Sequence, residues 1–217
     1  MTVSAYLTDW LRALCPELKQ STYEKYSIYL TRHIIPFFDA LGKSLEDLHP
    51  LDIREYVSLK RNGGRHDGKT GGLSAVSVRA HLNLIRHAFR DAVLYELIPK
   101  NPAAPVRLPR VPSVTRSARF LSAERTREIL KAMEGTWLHP IVYITILYGL
   151  RRSEALGLRW SAVDFDRAEI RICHTVVKNL TIEATDTTKT DASYRTYPLL
   201  PEVAQILLPL RAGQSPA

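Results

Sequence analysis

Cysteine is almost absent from this sequence of 217 residues. The two cysteines, Cys15 and Cys173, stand far apart and match none of the spacings with which proteins ligate a metal. A disulfide framework needs several cysteines at short intervals, so this pair excludes the class of small disulfide-rich secreted domains. We therefore expect a protein of a reducing compartment, with no metal centre.

Long apolar runs are missing as well. A membrane-spanning helix requires about 18 consecutive apolar residues, and no such stretch occurs. The first residues also lack the basic-then-apolar order of a secretory signal. Apolar residues nevertheless make up 45% of the chain, which is enough to build a core. The sequence thus predicts a folded protein with no membrane partner.

Acidic residues are absent from one segment, residues 101–120, which holds four arginines. The formal net charge of the chain is +8, so about a tenth of its length carries half of the excess. A basic segment favours polyanions, because neutralised phosphates release their counterions. Charge alone leaves an ordinary basic surface as an equally good interpretation. The four arginines are Arg107, Arg110, Arg116 and Arg119.

Five prolines interrupt residues 99–112, where we expect no regular element. We interpret residues 99–118 as a basic, semi-extended linker between two domains. Residues 1–98 show only helical patterns, whereas residues 119–217 combine helices with short strands. The expected fold class is mainly α with a small β-sheet (α+β).

The helix expected to begin at Ser74 or Ser77 has the clearest pattern of the first domain. An apolar stripe follows one face, and a stripe of long hydrogen-bond donors runs beside it. A donor stripe suits a helix that lies against a DNA groove, although a solvated helix face is the commoner cause of one. The apolar stripe is Val78, Leu82, Ile85, Phe89 and Val93, and the donor stripe is Arg79, Asn83, Arg86 and Arg90.

A similar but weaker stripe lies on an earlier helix and consists of Lys25, Tyr29 and Arg32. We expect Pro36 to limit the length of that helix, because proline lacks the backbone N–H and its ring collides with the preceding turn.

In the second domain, an apolar helix ends at Gly149 and arginine follows closely. Because glycine permits a sharp turn, Arg151 can project from the junction of two helices. A guanidinium presents a fixed fork of N–H donors that can hold two non-bridging phosphate oxygens. Glu154, one turn into the next helix, is placed to hold that guanidinium. A plain helix-turn-helix with surface arginines is the alternative interpretation.

A second polar run, residues 187–199, predicts the tip of a β-hairpin that bears Lys189, followed by a strand. An ammonium group on such a tip can donate a proton to a leaving oxygen. Taken alone, a solvated lysine in a turn is the commoner reason for this pattern.

Together these runs resemble the tyrosine recombinase family, also called phage integrases, over nearly the whole chain. One set of stretches is similar to the family's helical, SAM-like core-binding domain: STYEKYSIYLTRHIIPFF, LHPLDIREYV and SAVSVRAHLNLIRHAFRDAVLYELIPKNP. Another set is similar to the N-terminal part of its mixed α/β catalytic domain: FLSAERTREIL, ITILYGLRRSEALGLRWSAVDFD and TKTDASYRTYPL. The pattern is closest to the integrases of phages and conjugative transposons.

The resemblance implies site-specific recombination or integration of duplex DNA. In the family a tyrosine attacks the scissile phosphate and stays joined to the 3′-phosphate, and no cofactor is used. Arg151 matches the first arginine of the family site, which stabilises the transition state. Glu154 matches the supporting acidic position, and Lys189 matches the hairpin lysine that protonates the 5′-oxygen. The resemblance also implies the bacterial cytoplasm, association with the nucleoid, and self-association on paired sites.

The sequence departs from the family in what should follow Lys189. The family's His-x-x-Arg pair and nucleophilic tyrosine have no match, since no histidine follows His174 and no tyrosine follows Tyr197. We therefore expect a C-terminally truncated recombinase that keeps its DNA affinity and does not cleave. A non-enzymatic protein that occupies recombination sites is a second interpretation, and a helical domain without a nucleic-acid role is a third.

Overall fold

The structure is a computed structural model, and it describes residues 1–65, 68–107, 120–178, 182–185 and 194–214. The chain divides into two compact units, Met1–Thr115 and Arg116–Ala217. Each unit has its own core of buried apolar side chains. None of the helices in the described ranges is long and apolar enough to cross a membrane.

The first unit is built from helices. They are α1 (Val3–Leu14), α2 (Gln20–Tyr29), α3 (Ile35–Leu41), α4 (Pro50–Asn62) and α5 (Ala75–Leu94). A short 3-10 turn, Cys15–Glu17, follows α1. The helical first half that the sequence predicts is therefore present, and α5 is the longest helix of the unit.

Helix α5 organises the core of the first unit. Ser74 caps its N-terminus, because the Ser77 N–H donates to the Ser74 hydroxyl over 3.1 Å. Of the predicted apolar stripe, four members are fully buried and Val93 is partly buried against the same core. The start at Ser74 and the apolar stripe are both confirmed.

The expectation for Pro36 is wrong, because helical structure continues through it. One π-helical turn, Leu30–Ile34, joins α2 directly to α3, and the Ile35 N–H bonds to the Leu30 carbonyl five residues back. Pro36 then occupies the first turn of α3. The wider π turn places the residue without an N–H where an α-helical hydrogen bond is not needed.

Residues 99–107 pack on the first unit although the sequence predicts that they belong to a linker. They form turns, and Ala103 and Val106 are buried in the core. Arg86 on α5 donates from Nε to the Ala103 carbonyl over 3.1 Å and from Nη2 to the Val106 carbonyl. The Asn101 amide donates in turn to the Arg86 carbonyl over 2.9 Å. These bonds tie the backbone of residues 99–107 to helix α5.

The second unit combines helices and short strands. Its helices are α6 (Ala123–Ala132), α7 (His139–Tyr148), α8 (Arg152–Leu156) and α9 (Pro201–Gly213), with a 3-10 turn at Trp160–Ala162. Its strands are β1 (Val163–Asp164), β2 (Glu169–Ile172), β3 (Thr175–Lys178), β4 (Ile182–Thr185) and β5 (Arg195–Pro198).

The strands form two antiparallel sheets. One has the order β1-β2-β5, with Ile170 opposite Tyr197 and Ile172 opposite Arg195. The other is the hairpin β3-β4. Ile170 and Ile172 are buried while Glu169 and Arg171 are exposed, which is the alternation of a half-buried strand. The predicted fold class, mainly α with a small sheet, is confirmed.

Candidate functional site

Gly149 forms the turn between α7 and α8. This residue ends α7 with φ +60°, a left-handed conformation that side chains disfavour, and a Cβ there would meet open space. The Leu150 N–H then donates to the Thr145 carbonyl over 3.0 Å, and Leu150 is buried in the core of the second unit. The buried Leu150 fixes the turn, so the residue after it begins α8 at the surface.

Arg151 stands at the N-cap position of α8 and is bonded twice to Glu154. Its backbone N–H donates to Oε2 over 2.9 Å, and its Nη1 donates to Oε1 over 2.7 Å. The Arg151 side chain is 69% exposed, whereas that of Glu154 is 2% exposed. The buried carboxylate thus holds the backbone N–H and one guanidinium nitrogen of Arg151, while the rest of the guanidinium faces solvent. The sequence predicts this pairing of Arg151 with Glu154.

A second arginine, which sequence reasoning did not assign to the site, binds the same carboxylate. Arg195 on β5 donates from Nη2 to Glu154 Oε2 over 2.8 Å and from Nη1 to Oε1 over 3.3 Å. Its Nε donates to the Tyr197 hydroxyl over 2.8 Å. Arg195 and Glu154 lie 41 residues apart, beyond the reach of any helical spacing. The sequence feature that could have assigned Arg195 to the site is its position at the end of the Thr-Lys-Thr-x-x-Ser-x-Arg run.

The electrostatics of this cluster favour the charged forms of Glu154 and Arg195. Hydrogen bonds from Arg195, then those from the backbone and side chain of Arg151, lower the pKa of Glu154 to about 2 against the opposing effect of burial. The hydrogen bond to Glu154 correspondingly raises the pKa of Arg195. Two guanidinium charges face one carboxylate, so the cluster keeps a positive excess. That excess lies where Arg151 is exposed.

Tyrosines fix β5 beside α7. The Tyr148 hydroxyl donates to the Pro198 carbonyl over 2.9 Å and accepts from the Leu200 N–H over 3.2 Å. The Tyr148 and Tyr197 rings lie 5.2 Å apart. The Arg195 guanidinium also lies 5.6 Å from the centre of the Tyr197 ring. Arg195 therefore approaches Glu154 from a strand that Tyr148 anchors on the C-terminal side of the arginine.

Lys189, the predicted general acid, lies outside the described residues. Arg152, next to Arg151, is exposed, and its role stays open. Within the described part of the chain, no group of three or more histidine, cysteine, aspartate and glutamate side chains could hold a metal ion.

The predicted donor stripe on α5 is divided by the structure. Arg79, Asn83 and Arg90 are exposed. Arg86 is instead half-buried and bonded to the carbonyls of Ala103 and Val106, so its guanidinium holds the chain's own backbone. The guanidinium of Arg86 is therefore engaged within the first unit.

The other predicted DNA-binding residues are exposed wherever the structure describes them. Lys25 and Arg32 lie at the surface, and the Lys25 ammonium is 5.7 Å from the centre of the Tyr29 ring. Arg107 is exposed at the end of the segment that packs on the first unit. Arg110, Arg116 and Arg119 fall outside the described residues.

Comparison with known proteins identifies the first part of the chain. Residues 2–60 match the family described as phage integrase, N-terminal SAM-like domain. This range covers α1 to most of α4, the helices that precede α5.

Two known relatives extend the similarity into the second unit. A "Tyrosine recombinase XerC-like" protein of Caldanaerobacter subterraneus subsp. tengcongensis is 24% identical over 84% of this chain and 45% of its own length. An "Integrase" of Streptomyces ambofaciens is 26% identical over 75% of this chain and 39% of its own length. The chain thus spans less than half the length of these relatives.

Solved structures show the same fold. The integrase of transposon Tn1549, solved in complex with a circular intermediate DNA, matches with a TM-score of 0.74 and 19% identity over 100% of this chain and 67% of its own. A lambda integrase dimer bound to a core site matches with a TM-score of 0.62 and 17% identity, over 91% of this chain and 49% of its own. By its SAM-like domain and its sequence relatives, the chain is similar to tyrosine recombinases and phage integrases, and it shares its fold with the solved integrases.

Proposed function

We propose that the chain binds duplex DNA as part of a site-specific recombination protein and holds a backbone phosphate at Arg151. The observation that carries this proposal is the buried Glu154 carboxylate, which bonds two arginines and leaves the guanidinium of one of them 69% exposed. A guanidinium that is held by one nitrogen and exposed at its other N–H groups is suited to a bidentate contact with two phosphate oxygens.

Arg151 is the group that contacts the phosphate in this proposal. Glu154 engages its Nη1, so the remaining N–H donors stay available to non-bridging oxygens. During phosphoryl transfer negative charge develops on those oxygens, and a preorganised cation stabilises that charge without having to reorient.

Glu154 and Arg195 are positioning residues in this proposal. The carboxylate receives Arg151 from the start of α8 and Arg195 from β5, and so couples the helix to the sheet. Lys189 precedes β5, and by the family resemblance we assign it the proton transfer to the 5′-oxygen. Arg195 would then tie the strand that follows the lysine to the arginine that binds phosphate.

The DNA interface includes cationic groups of the first unit and of the segment that follows it. Arg79 and Arg90 on α5 and Lys25 and Arg32 on α2 and its continuation are exposed and suited to phosphates. Arg107, Arg110, Arg116 and Arg119 add a segment free of acidic residues. Support comes from the structural relatives, which are described as bound to DNA and, for lambda integrase, as dimers and a tetramer. We extend DNA binding and self-association on paired sites to this chain.

The second candidate function is a DNA-binding protein that occupies recombination sites without cutting them. It is favoured by the state of Tyr197, whose hydroxyl accepts from Arg195 and whose ring packs on Tyr148. A tyrosine held in this way by a hydrogen bond and a ring contact is part of the scaffold of the second unit. In this case the 217 residues bind the phosphate without forming a phosphotyrosyl bond.

The experiment compares duplex binding by the wild type, Arg151→Ala and Arg152→Ala. Both variants lose one exposed arginine, one residue apart, so general electrostatics predict equal losses of affinity. We expect the larger loss for Arg151→Ala, about tenfold, with a change in stability below about 1 kcal/mol because the side chain is mostly solvated. Equal losses for the two variants would remove the assigned role of Arg151.

A nicked suicide duplex tests whether the 217 residues cleave a DNA strand. Its short scissile strand diffuses away after cleavage and traps any covalent intermediate, which denaturing electrophoresis detects. The occupying protein predicts no covalent adduct with the 217 residues. An adduct would contradict that candidate and establish strand cleavage.

A further inference from the structure

Helix α5 presents three polar side chains in line on its solvent face. Arg79, Asn83 and Arg90 follow each other at i, i+4 and i+11, which fall within a narrow arc of an α-helix. All three are exposed. The fourth member of the predicted stripe, Arg86, is turned back onto the carbonyls of Ala103 and Val106. Along this face an amide, Asn83, therefore stands between two cations, Arg79 and Arg90.

The spacing along this line fits the major groove. With a rise of about 1.5 Å per residue, Arg79 and Arg90 stand about 16 Å apart along the axis, and Asn83 lies about 6 Å from the first of them. The groove is about 12 Å wide, so two long flexible cations at this separation can reach phosphates on either side of it. The shorter amide between them then faces the edges of the bases.

The surroundings of Asn83 allow a close approach. One turn before Asn83 stands Ala80, which has the smallest side chain. One turn after Asn83, the ring of His87 is held edge-on to Trp10, 5.2 Å away. Opposite this face, α5 is fixed by fully buried side chains, among them Ile85 and Phe89. A short side chain can contact bases only if the helix backbone comes near them, and a rigid helix with a small neighbour permits this.

An amide has the chemistry to read one base in particular. Its oxygen accepts and its nitrogen donates, so it can pair with the N6 amino group and the N7 of adenine at once. We propose that Asn83 is a sequence-reading residue that pairs with an adenine in the major groove, while Arg79 and Arg90 bind flanking phosphates. This inference rests on the proposed DNA binding and adds which residue reads sequence and which base it selects.

The test selects bound molecules from a pool of duplexes with a randomised core. Wild type, Asn83→Ala and Arg79→Ala are each incubated with the pool, and the bound molecules are sequenced. Asn83 and Arg79 are both exposed on the same helix, so Arg79→Ala is a matched control. Circular dichroism and thermal unfolding check that each variant keeps the fold.

We expect the wild type to select adenine at one position, and Asn83→Ala to lose that preference by about tenfold or more while its other preferences stay. Arg79→Ala should instead weaken binding to all sequences alike. Retention of every base preference by Asn83→Ala would overturn the inference and leave DNA binding intact. Failure of the wild type to bind any duplex would overturn the proposed function as well, so the two failures are distinguishable.

Discussion

At the scale of single residues, the buried Glu154 carboxylate of the second unit bonds both the exposed Arg151 and Arg195 on β5. The sequence was sufficient to place Arg151 beside Glu154, because three positions along a helix start bring the two together. Arg195 could not be found by the same reasoning, since its contact depends on how β5 is placed by Tyr148 and the sheet register. Local spacing predicts local pairs, and only the folded chain shows the third partner.

Glu154→Gln should destabilise the second unit by about 2 kcal/mol at neutral pH. The amide keeps the shape but loses the charge, and a buried carboxylate bonded to two guanidiniums contributes on that order. Urea unfolding followed by tryptophan fluorescence measures the change, since Trp137 and Trp160 lie in this unit. Glu128→Gln is the matched control, because Glu128 forms only an exposed ion pair with Arg125 and should cost under about 0.5 kcal/mol.

The pH dependence of this effect follows from the lowered pKa of Glu154. The folded pKa is about 2 against an ordinary value of 4.5, so its contribution is fully present above pH 4.5 and is lost as the pH falls towards 2. Glu154→Gln should lack that part of the acid sensitivity. Equal stability of the wild type and the variant at pH 7 would contradict the role given to the carboxylate.

His81 makes the first unit sensitive to mild acid. It is 1% exposed, its Nδ1 lies 2.8 Å from the Tyr56 hydroxyl, and the rings of Tyr29 and His33 pack on it. Burial, with smaller effects of His33 and Lys60, lowers the pKa of His81 from 6.5 to about 4. The unfolded chain therefore takes up a proton between these values while the folded chain does not.

The stability of the first unit should consequently fall by about 3 kcal/mol as the pH drops from 6.5 to 4, and should be constant from this source above 6.5. His81→Gln, which can still accept from Tyr56, should flatten this part of the profile. The fluorescence of Trp10, the tryptophan of the first unit, reports the unfolding. A profile of the same slope in the variant would show that another group causes it.

At the scale of elements, the places where the sequence was a good guide are those governed by local rules. The serine cap at Ser74 and the apolar stripe of α5 both follow from contacts within a few residues. The prediction failed at Pro36, because the neighbouring π turn absorbs the proline. Leu30 and Ile34, the first and last residues of that turn, are both buried in the core.

Gly157 lets α8 pack closely against the start of β3. A Cβ at this residue would lie 2.8 Å from the His174 carbonyl oxygen and 2.7 Å from the Thr175 Cα, both of them backbone atoms that cannot move alone. Gly157→Ala should therefore push α8 away from β3, cost about 1–3 kcal/mol, and weaken duplex binding by displacing Arg151. Thermal unfolding and the duplex assay measure the two effects.

Gly213→Ala is the control for Gly157→Ala. It lies in α9, where an added Cβ meets open space, so the change should be neutral or slightly stabilising. Similar stability of the two variants would contradict the close approach of α8 to β3.

At the scale of the whole molecule, the division into two units falls after Thr115, in a stretch rich in proline and arginine. The composition indicates where a boundary can lie, but it does not reveal that residues 99–107 pack on the first unit, because that packing depends on Arg86. The basic segment therefore starts from a fixed point at Arg107, which is exposed.

Replacing Arg107, Arg110, Arg116 and Arg119 by glutamine should weaken binding to all duplexes alike. Phosphate contacts carry no sequence information, so each lost contact reduces the salt slope by about 0.9 without changing base preferences. Titration of unrelated duplexes measures the change. A loss confined to one sequence would indicate that these arginines read bases.

The most direct test of the account is the affinity of the 217-residue chain for duplex DNA as a function of salt. We predict binding whose association constant falls linearly on a double logarithmic plot, with a slope of several units between about 50 and 200 mM salt. Binding that is absent at the lowest salt, or that does not change with salt, would contradict the conclusion that the chain's cationic groups hold the phosphates of DNA.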